Sequence, residues 1–168
     1  MRKYLIVDAY NMINQWTSLK EVAQESLEEA REKLISQLQS YCEIKNYYFV
    51  LVFDAYNNEE GLKEIVLESG LIIYTQKNQT ADSYIEKLMY DIPSIYDIYV
   101  ATSDFSIQRI VVARGGLRIS ALEMEKEVQF TIQAFLKKNK ESYQEDKNHL
   151  SKLIDKDTLN KLKRLKNE

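Results

Sequence analysis

The chain has 168 residues, 45% of them hydrophobic and 29% charged, with only 4 Gly and 1 Pro. That length and balance suit one globular domain with a sizeable core and leave little sequence for linkers. A single cysteine, Cys42, and a single histidine, His149, exclude a disulfide framework, a Cys-based zinc site and His-based clusters or triads. The net charge of −3 argues against a general nucleic-acid binder, yet it is unevenly spread: residues 137–168 hold 10 Lys/Arg against 6 Asp/Glu, the rest 13 against 20. A basic end behind an acidic body is compatible with phosphate contacts and equally with a solvated helix. No run is long enough to span a membrane, and Asp8 arrives too early for a signal peptide, so a cytoplasmic location is expected.

Residues 3–7 form a near-continuous apolar run, as expected of a strand buried on both faces. From Ser26 the positions Leu27, Ala30, Leu34, Ile35 and Leu38 make one helical stripe, and Ser26 with Glu29 resembles a capping box, so a helix is predicted to about Lys45. Residues 48–53 read as a second buried strand and 57–61 as a loop; 62–67 is ambiguous between a short strand and a helical turn. Gly70 precedes a third strand at 71–74. Thr80 opens a helix that turns Tyr84, Ile85, Leu88 and Met89 inward and stops before Pro93. A fourth strand follows at 98–102, a short helix at 106–113 ended by Gly115-Gly116, and an edge strand at 117–120. Residues 121–138 are helical with Leu122, Val128, Ile132 and Phe135 as the apolar face, and a last Lys-rich helix is expected over 150–165. Strands alternating with helices predict an α/β fold, a doubly wound and mostly parallel sheet flanked by helices.

Three strand-like runs each end on a carboxylate: Asp8, Asp54 and Asp104. Asp82, at a helix start, adds a fourth. In a parallel α/β sheet, ligands bind at the carboxyl ends of strands, near the point where strand order reverses. Any one of these residues is explained as a turn former or helix cap. Four of them at one sheet edge, without a compensating Lys or Arg, point to a divalent cation or a raised pKa. Mg²⁺ or Mn²⁺ suits an all-oxygen ligand set and supplies a water able to attack phosphorus. A glycine-rich phosphate loop is absent, which leaves ATP hydrolysis unsupported.

The stretches Ile6-Val7-Asp8-Ala9-Tyr10-Asn11-Met12-Ile13, Phe53-Asp54-Ala55, Thr80-Ala81-Asp82-Ser83-Tyr84, Val100-Ala101-Thr102-Ser103-Asp104 and Ala113-Arg114-Gly115-Gly116-Leu117-Arg118 resemble the YacP-like branch of NYN domains, which are PIN-like ribonucleases. The resemblance covers roughly residues 3–140. It implies a PIN-like (Rossmann-like) nuclease domain over 1–140, with 141–168 as a basic helical extension packed on it. It further implies metal-dependent endonucleolytic cleavage of RNA, and the branch includes a ribosome-associated enzyme acting on messenger RNA. Position by position, Asp8, Asp82 and Asp104 match the metal-site carboxylates, and Asn11 matches the polar residue supporting the first. Asp54, Ser103 and Gln108 are expected as supporting members. Some PIN-like nucleases carry a further acid where this chain has Gln108, which leaves the number of ions open between one and two.

Tyr10 and Trp16 follow the first acidic turn and are candidates for stacking on bases, whereas most of the 12 tyrosines lie in strands and read as packing. Arg109, Arg114 and Arg118 cluster after Asp104 as candidate phosphate contacts, or as partners of Glu123 and Glu125. Two other readings compete with the nuclease. A phosphatase-type hydrolase would place a carboxylate two residues after Asp8, where this chain has Tyr10. A non-catalytic RNA- or ribosome-binding module would lack one of the principal acids, and all three are present.

Overall fold

The computed structural model describes residues 3–54 and 61–153. Strand β1 (Lys3–Asp8) is central, hydrogen-bonded to β2 (Tyr47–Phe53) on one edge and to β5 (Asp97–Ala101) on the other, and helices cover both of its faces, which accounts for its near-continuous apolar sequence. Outside β2 lies β4 (Gly70–Tyr74), and outside β5 lies β6 (Leu117–Ile119), all parallel. The ambiguous stretch after residue 62 is a strand, β3 (Lys63–Val66), which pairs antiparallel with β4. The order among the described residues is β3-β4-β2-β1-β5-β6. The chain builds outward from β1 on one side, then crosses to the other, and strand order reverses between β1 and β5.

Helices cover both faces. Ile6, Val50, Val52, Ile73 and Val100 pack with Ala81, Tyr84, Ile85 and Met89 of α4 (Ala81–Asp91) and with Ile107 and Val111 of α5 (Phe105–Ala113). By strand alternation Leu5, Val7, Phe49 and Leu51 face the other way, where α1 (Ala9–Gln15) and α3 (Leu27–Lys45) lie against the sheet. The α3 ends are as the sequence specifies: Ser26 Oγ accepts from the Glu29 N–H, and Asn46, at φ 56°, donates to the carbonyls of Cys42 and Glu43. Gly70 is required by close approach, since a Cβ there would lie 2.5 Å from the Phe49 ring. Gly115, at φ 74°, takes the left-handed turn that releases α5 into β6.

Two short helices were not foreseen. Asp8 caps α1, Trp16 ends it, and the same Trp16 opens α2 (Thr17–Glu25). Trp16 is only 1% exposed, and its Nε1 donates to the Ala121 carbonyl at 2.8 Å.

The chain divides into two compact units, Met1–Thr131 and Ile132–Glu168. Helix α6 (Ala121–Leu153) begins in the first, where Ala121, Met124, Val128 and Thr131 are buried. This corrects the apolar face expected from sequence: Val128 holds, but Leu122 is 54% exposed and Phe135, in the second unit, 44%. The inward stripe is instead Ala121, Met124, Val128 and Thr131, three or four residues apart, and Ala121 meets the α1–α2 corner at Trp16. The helix expected over 150–165 lies, past Leu153, outside the described residues, as does most of the loop at 57–61. No helix among the described residues is long and apolar enough to cross a membrane.

Candidate active site: an acidic pocket at the carboxyl edge of the sheet

The turns that leave β1, β2 and β5 open onto one cavity of about 640 Å³, lined by Asp8, Asp54, Asp82 and Asp104 together with Tyr10, Asn11, Asn14, Leu27, Arg31 and Thr80. It sits at the strand-order reversal between β1 and β5, where the doubly wound architecture puts ligands.

Each acid is held by its own element. Asp8 is the last residue of β1 and the N-cap of α1, its Oδ1 accepting from the Asn11 N–H at 3.1 Å. Asp104 is the N-cap of α5, and its Oδ1 accepts from the N–H and Oγ of Ser106 at 2.7 and 2.8 Å. Asp82 lies in the first turn of α4, behind the Thr80 cap. Asp54 directly follows β2. For Asp8 and Asp104, helix capping and delivery to the site are one event, because both cap helices that leave the same sheet edge.

The electrostatics separate these acids. Burial pushes the Asp8 carboxyl up to about 6; the Asn11 N–H opposes this, and the charges of Asp82, Asp104 and Asp54 add to it. Burial, then Asp104, raises Asp82. Asp104 is lowered by its hydrogen bonds from Ser106, and a shared hydrogen bond with Asp82 lowers it further. Among the described residues no three acids stand at the spacing of a ready-made ion cage, although Asp8, Asp82 and Asp104 line the same cavity at the same sheet edge. The cap bonds engage one oxygen of each of two acids, Oδ1 of Asp8 and Oδ1 of Asp104, with the N-terminus of its own helix. The donors the acids offer are all oxygen, with no Cys or His in the lining, and fit a hard cation that keeps several waters.

The supporting residues divide. Asn11 lines the pocket, and its Oδ1 accepts from the Ser103 N–H at 3.0 Å. Ser103 lies behind the pocket rather than in its lining; its Oγ donates to Gln15 Oε1 and accepts from the Ala121 N–H, each at 3.3 Å. Gln108 is likewise outside the lining, with a buried Oε1 that has no hydrogen-bond partner among the described residues.

The base-stacking and phosphate candidates also divide. Tyr10 is on the pocket wall, whereas Trp16, expected from sequence to stack on bases, is core: a ring 1% exposed has no face to offer RNA. Arg114 donates to the carbonyls of Met89 and Tyr90 at the end of α4, and Arg118 donates to the Thr102 carbonyl at 3.1 Å. Arg109 is exposed on α5. None of the three arginines lines the cavity. Sequence reasoning missed Arg31 and Leu27, which reach the pocket because α3 starts at the same edge as the acids. The one available signal was their place in the first turns of a helix that leads into a parallel strand.

Comparison with known proteins agrees with this architecture. A family model described as the YacP-like NYN domain matches residues 5–167. The Uncharacterized protein YacP of Bacillus subtilis (strain 168) is 39% identical over 126 residues, 74% of each chain. The crystal structure of Rae1 (YacP) from Bacillus subtilis superposes with a TM-score of 0.71 at 32% identity, covering 98% of this chain and 95% of that one. The crystal structure of a mutant of that Bacillus subtilis protein gives 0.71 at 35% identity, over 84% and 83%.

Proposed function

Since this chain belongs to the YacP-like NYN domain family, of PIN-like nuclease fold, we propose that it is a metal-dependent endoribonuclease. The observation that carries the reading is the pocket itself: Asp8, Asp54, Asp82 and Asp104 delivered from four segments to one cavity, with Asp8 held at about 6 by burial and by its acidic neighbours. Such repulsion is a standing cost of the fold, and it is relieved by a divalent cation. Asp8, Asp82 and Asp104 are the residues that would hold Mg²⁺ or Mn²⁺. When bound, the ion supplies a water of lowered pKa and neutralises phosphate charge.

The chain's own contribution is positioning. Asp104 is fixed by Ser106 through Oδ1, and the same bonds lower its pKa and favour the ionised form. Asn11 ties the Asp8 turn to the Asp104 turn through the Ser103 N–H. Tyr10 occupies the position where a phosphatase-type hydrolase would need its second carboxylate, and its hydroxyl is engaged by Arg31. Single-stranded RNA is the proposed substrate, and messenger RNA, at the ribosome or free of it, is the class implied by the branch the sequence resembles.

Labelled RNA incubated with the protein and Mn²⁺ or Mg²⁺ tests this, beside an Asp8→Asn control. Internal cleavage that needs both the metal and Asp8 supports it. Cleavage surviving chelation, or equal in the Asp8→Asn protein, refutes it.

A further inference from the structure

The acidic pocket has one wall of opposite charge. Arg31 of α3 is the one cationic side chain among the described lining residues, yet it is not paired with any of the four aspartates. Its ion pair among the described residues is with Glu28, 2.9 Å from Nη1 and 68% exposed. Its Nε donates to the Tyr10 hydroxyl at 3.1 Å, and its Nη2 donates to the same oxygen.

Behind it stands an aromatic wall. The guanidinium carbon is 5.5 Å from the Tyr10 ring centroid and 6.0 Å from that of Phe53, and Phe53 stacks on Tyr74 at 4.9 Å. Tyr10 meets Phe53 edge-on at 5.5 Å. An arginine whose task was to neutralise the acids would lie against them. This one is engaged instead by the Tyr10 hydroxyl, which takes two of its N–H donors, and by the exposed Glu28. A guanidinium has five donors in a fixed fork, and the Tyr10 and Glu28 contacts use three.

A nucleic-acid backbone is a row of phosphates. If one is held at the carboxylates, the next must lie within the same acidic field unless a cation receives it. A cavity of about 640 Å³ has room for more than a single phosphate group. We infer that Arg31 binds the backbone phosphate adjacent to the one held at the aspartates, and that Tyr10 is the positioning residue that fixes its guanidinium. This rests on the nuclease reading above and assigns the pocket a polarity along the RNA strand. The unfavourable Coulomb field that a polyanion meets at four acids is thereby offset at one end.

The test measures binding and cleavage separately. Equilibrium binding of a fluorescent single-stranded RNA hexamer is followed across a salt series with Mg²⁺ present, in the Asp8→Asn background so that no turnover occurs. Adding Arg31→Ala should weaken binding about tenfold, the size of one charge-assisted hydrogen-bonded contact. It should also flatten the log–log salt slope by about 0.7, one phosphate contact on a single strand. Arg31→Lys should keep the slope while losing several-fold in affinity, because it retains charge without the fork. Tyr10→Phe should weaken binding several-fold, and should add nothing once Arg31 is alanine.

In the otherwise wild-type protein, the same Arg31 variants should raise KM for RNA far more than they lower kcat. Unchanged affinity and slope in folded Arg31→Ala protein, checked by its thermal melt, overturn the inference even if wild-type cleavage is robust. A flattened slope in a protein that never cleaves RNA would keep the phosphate site and remove the nuclease reading instead.

Discussion

Asn11 and Ser103 lie 92 residues apart in sequence and are joined by a 3.0 Å hydrogen bond from the Ser103 N–H to Asn11 Oδ1. The bond crosses from the turn after β1 to the turn after β5, and so straddles the strand-order reversal over which the acidic pocket opens. Asn11 also donates its own N–H to Asp8, so one residue holds a candidate ligand and the turn that carries another.

Asn11→Ala should therefore affect both stability and activity. Losing the side-chain acceptor leaves the Ser103 amide unpaired, at about 1–2 kcal/mol, which corresponds to a melting point lowered by a few degrees. The cleavage rate at saturating Mn²⁺ should fall at least tenfold, because Asp8 and Asp104 no longer share a fixed frame. Melts and initial rates on the same preparation check both; a normal rate in the destabilised variant would confine Asn11 to the scaffold.

Asp8→Asn should stabilise the metal-free protein near neutral pH. The folded carboxyl titrates at about 6, raised from 3.8, so the native state holds its proton more tightly than the unfolded chain does. The penalty is absent below pH 4, grows as the unfolded state ionises, and is complete above pH 6. Asn caps α1 as well as Asp does, so the substitution should gain on the order of 2 kcal/mol at pH 7.5 and nothing at pH 3.5. Urea denaturation of both proteins at the two pH values, in EDTA, measures it. A stability gap that is the same at both would mean that the Asp8 charge is not the cause.

Asp82→Asn and Asp104→Asn should each abolish most metal-dependent cleavage while leaving a folded protein. Asp82 is in a first helical turn and Asp104 is an N-cap, positions that asparagine tolerates. Calorimetric titration with Mn²⁺ should show affinity lowered about tenfold or more in each. Wild-type affinity in both variants would move the ion, if one binds, to Asp8 and Asp54.

Trp16→Phe should cost about 2–4 kcal/mol, from the lost ring volume and the Ala121 carbonyl left without its donor. RNA affinity should be unchanged, since the indole has no exposed face. As the single tryptophan of the chain, Trp16 reports on itself: its emission should be blue-shifted, resistant to acrylamide, and unmoved by saturating RNA. Strong quenching by RNA would contradict its burial.

The sheet was legible because the central residues of β1, β2 and β5 are buried and apolar, leaving a polar residue to mark where each run ends. The acids were legible for the same reason: Asp8, Asp54 and Asp104 are the first charged residues after those runs. Helices α1 and α2 were not, because in seven and nine residues each apolar stripe, Ala9-Met12-Ile13 and Leu19-Val22-Ala23, spans little more than one turn, and their junction is held by a tertiary contact to Ala121. Trp16 misled because an aromatic beside an acidic turn looks the same in sequence whether it faces RNA or the core. Arg31 was invisible because Glu28 and Arg31, three apart on a helix, resemble any surface ion pair.

The placement of β1 also sets a timetable. It is made first, but its second neighbour, β5, begins at Asp97, and the last acid of the pocket is Asp104. Every pairing across the sheet's centre joins distant parts of the chain, the kind of contact that forms late. During synthesis Asp8, Asp54 and Asp82 emerge well before the structure that collects them. A growing chain thus carries an incomplete set of acids on an unfinished sheet, and the pocket closes only once the β5–α5 turn has emerged.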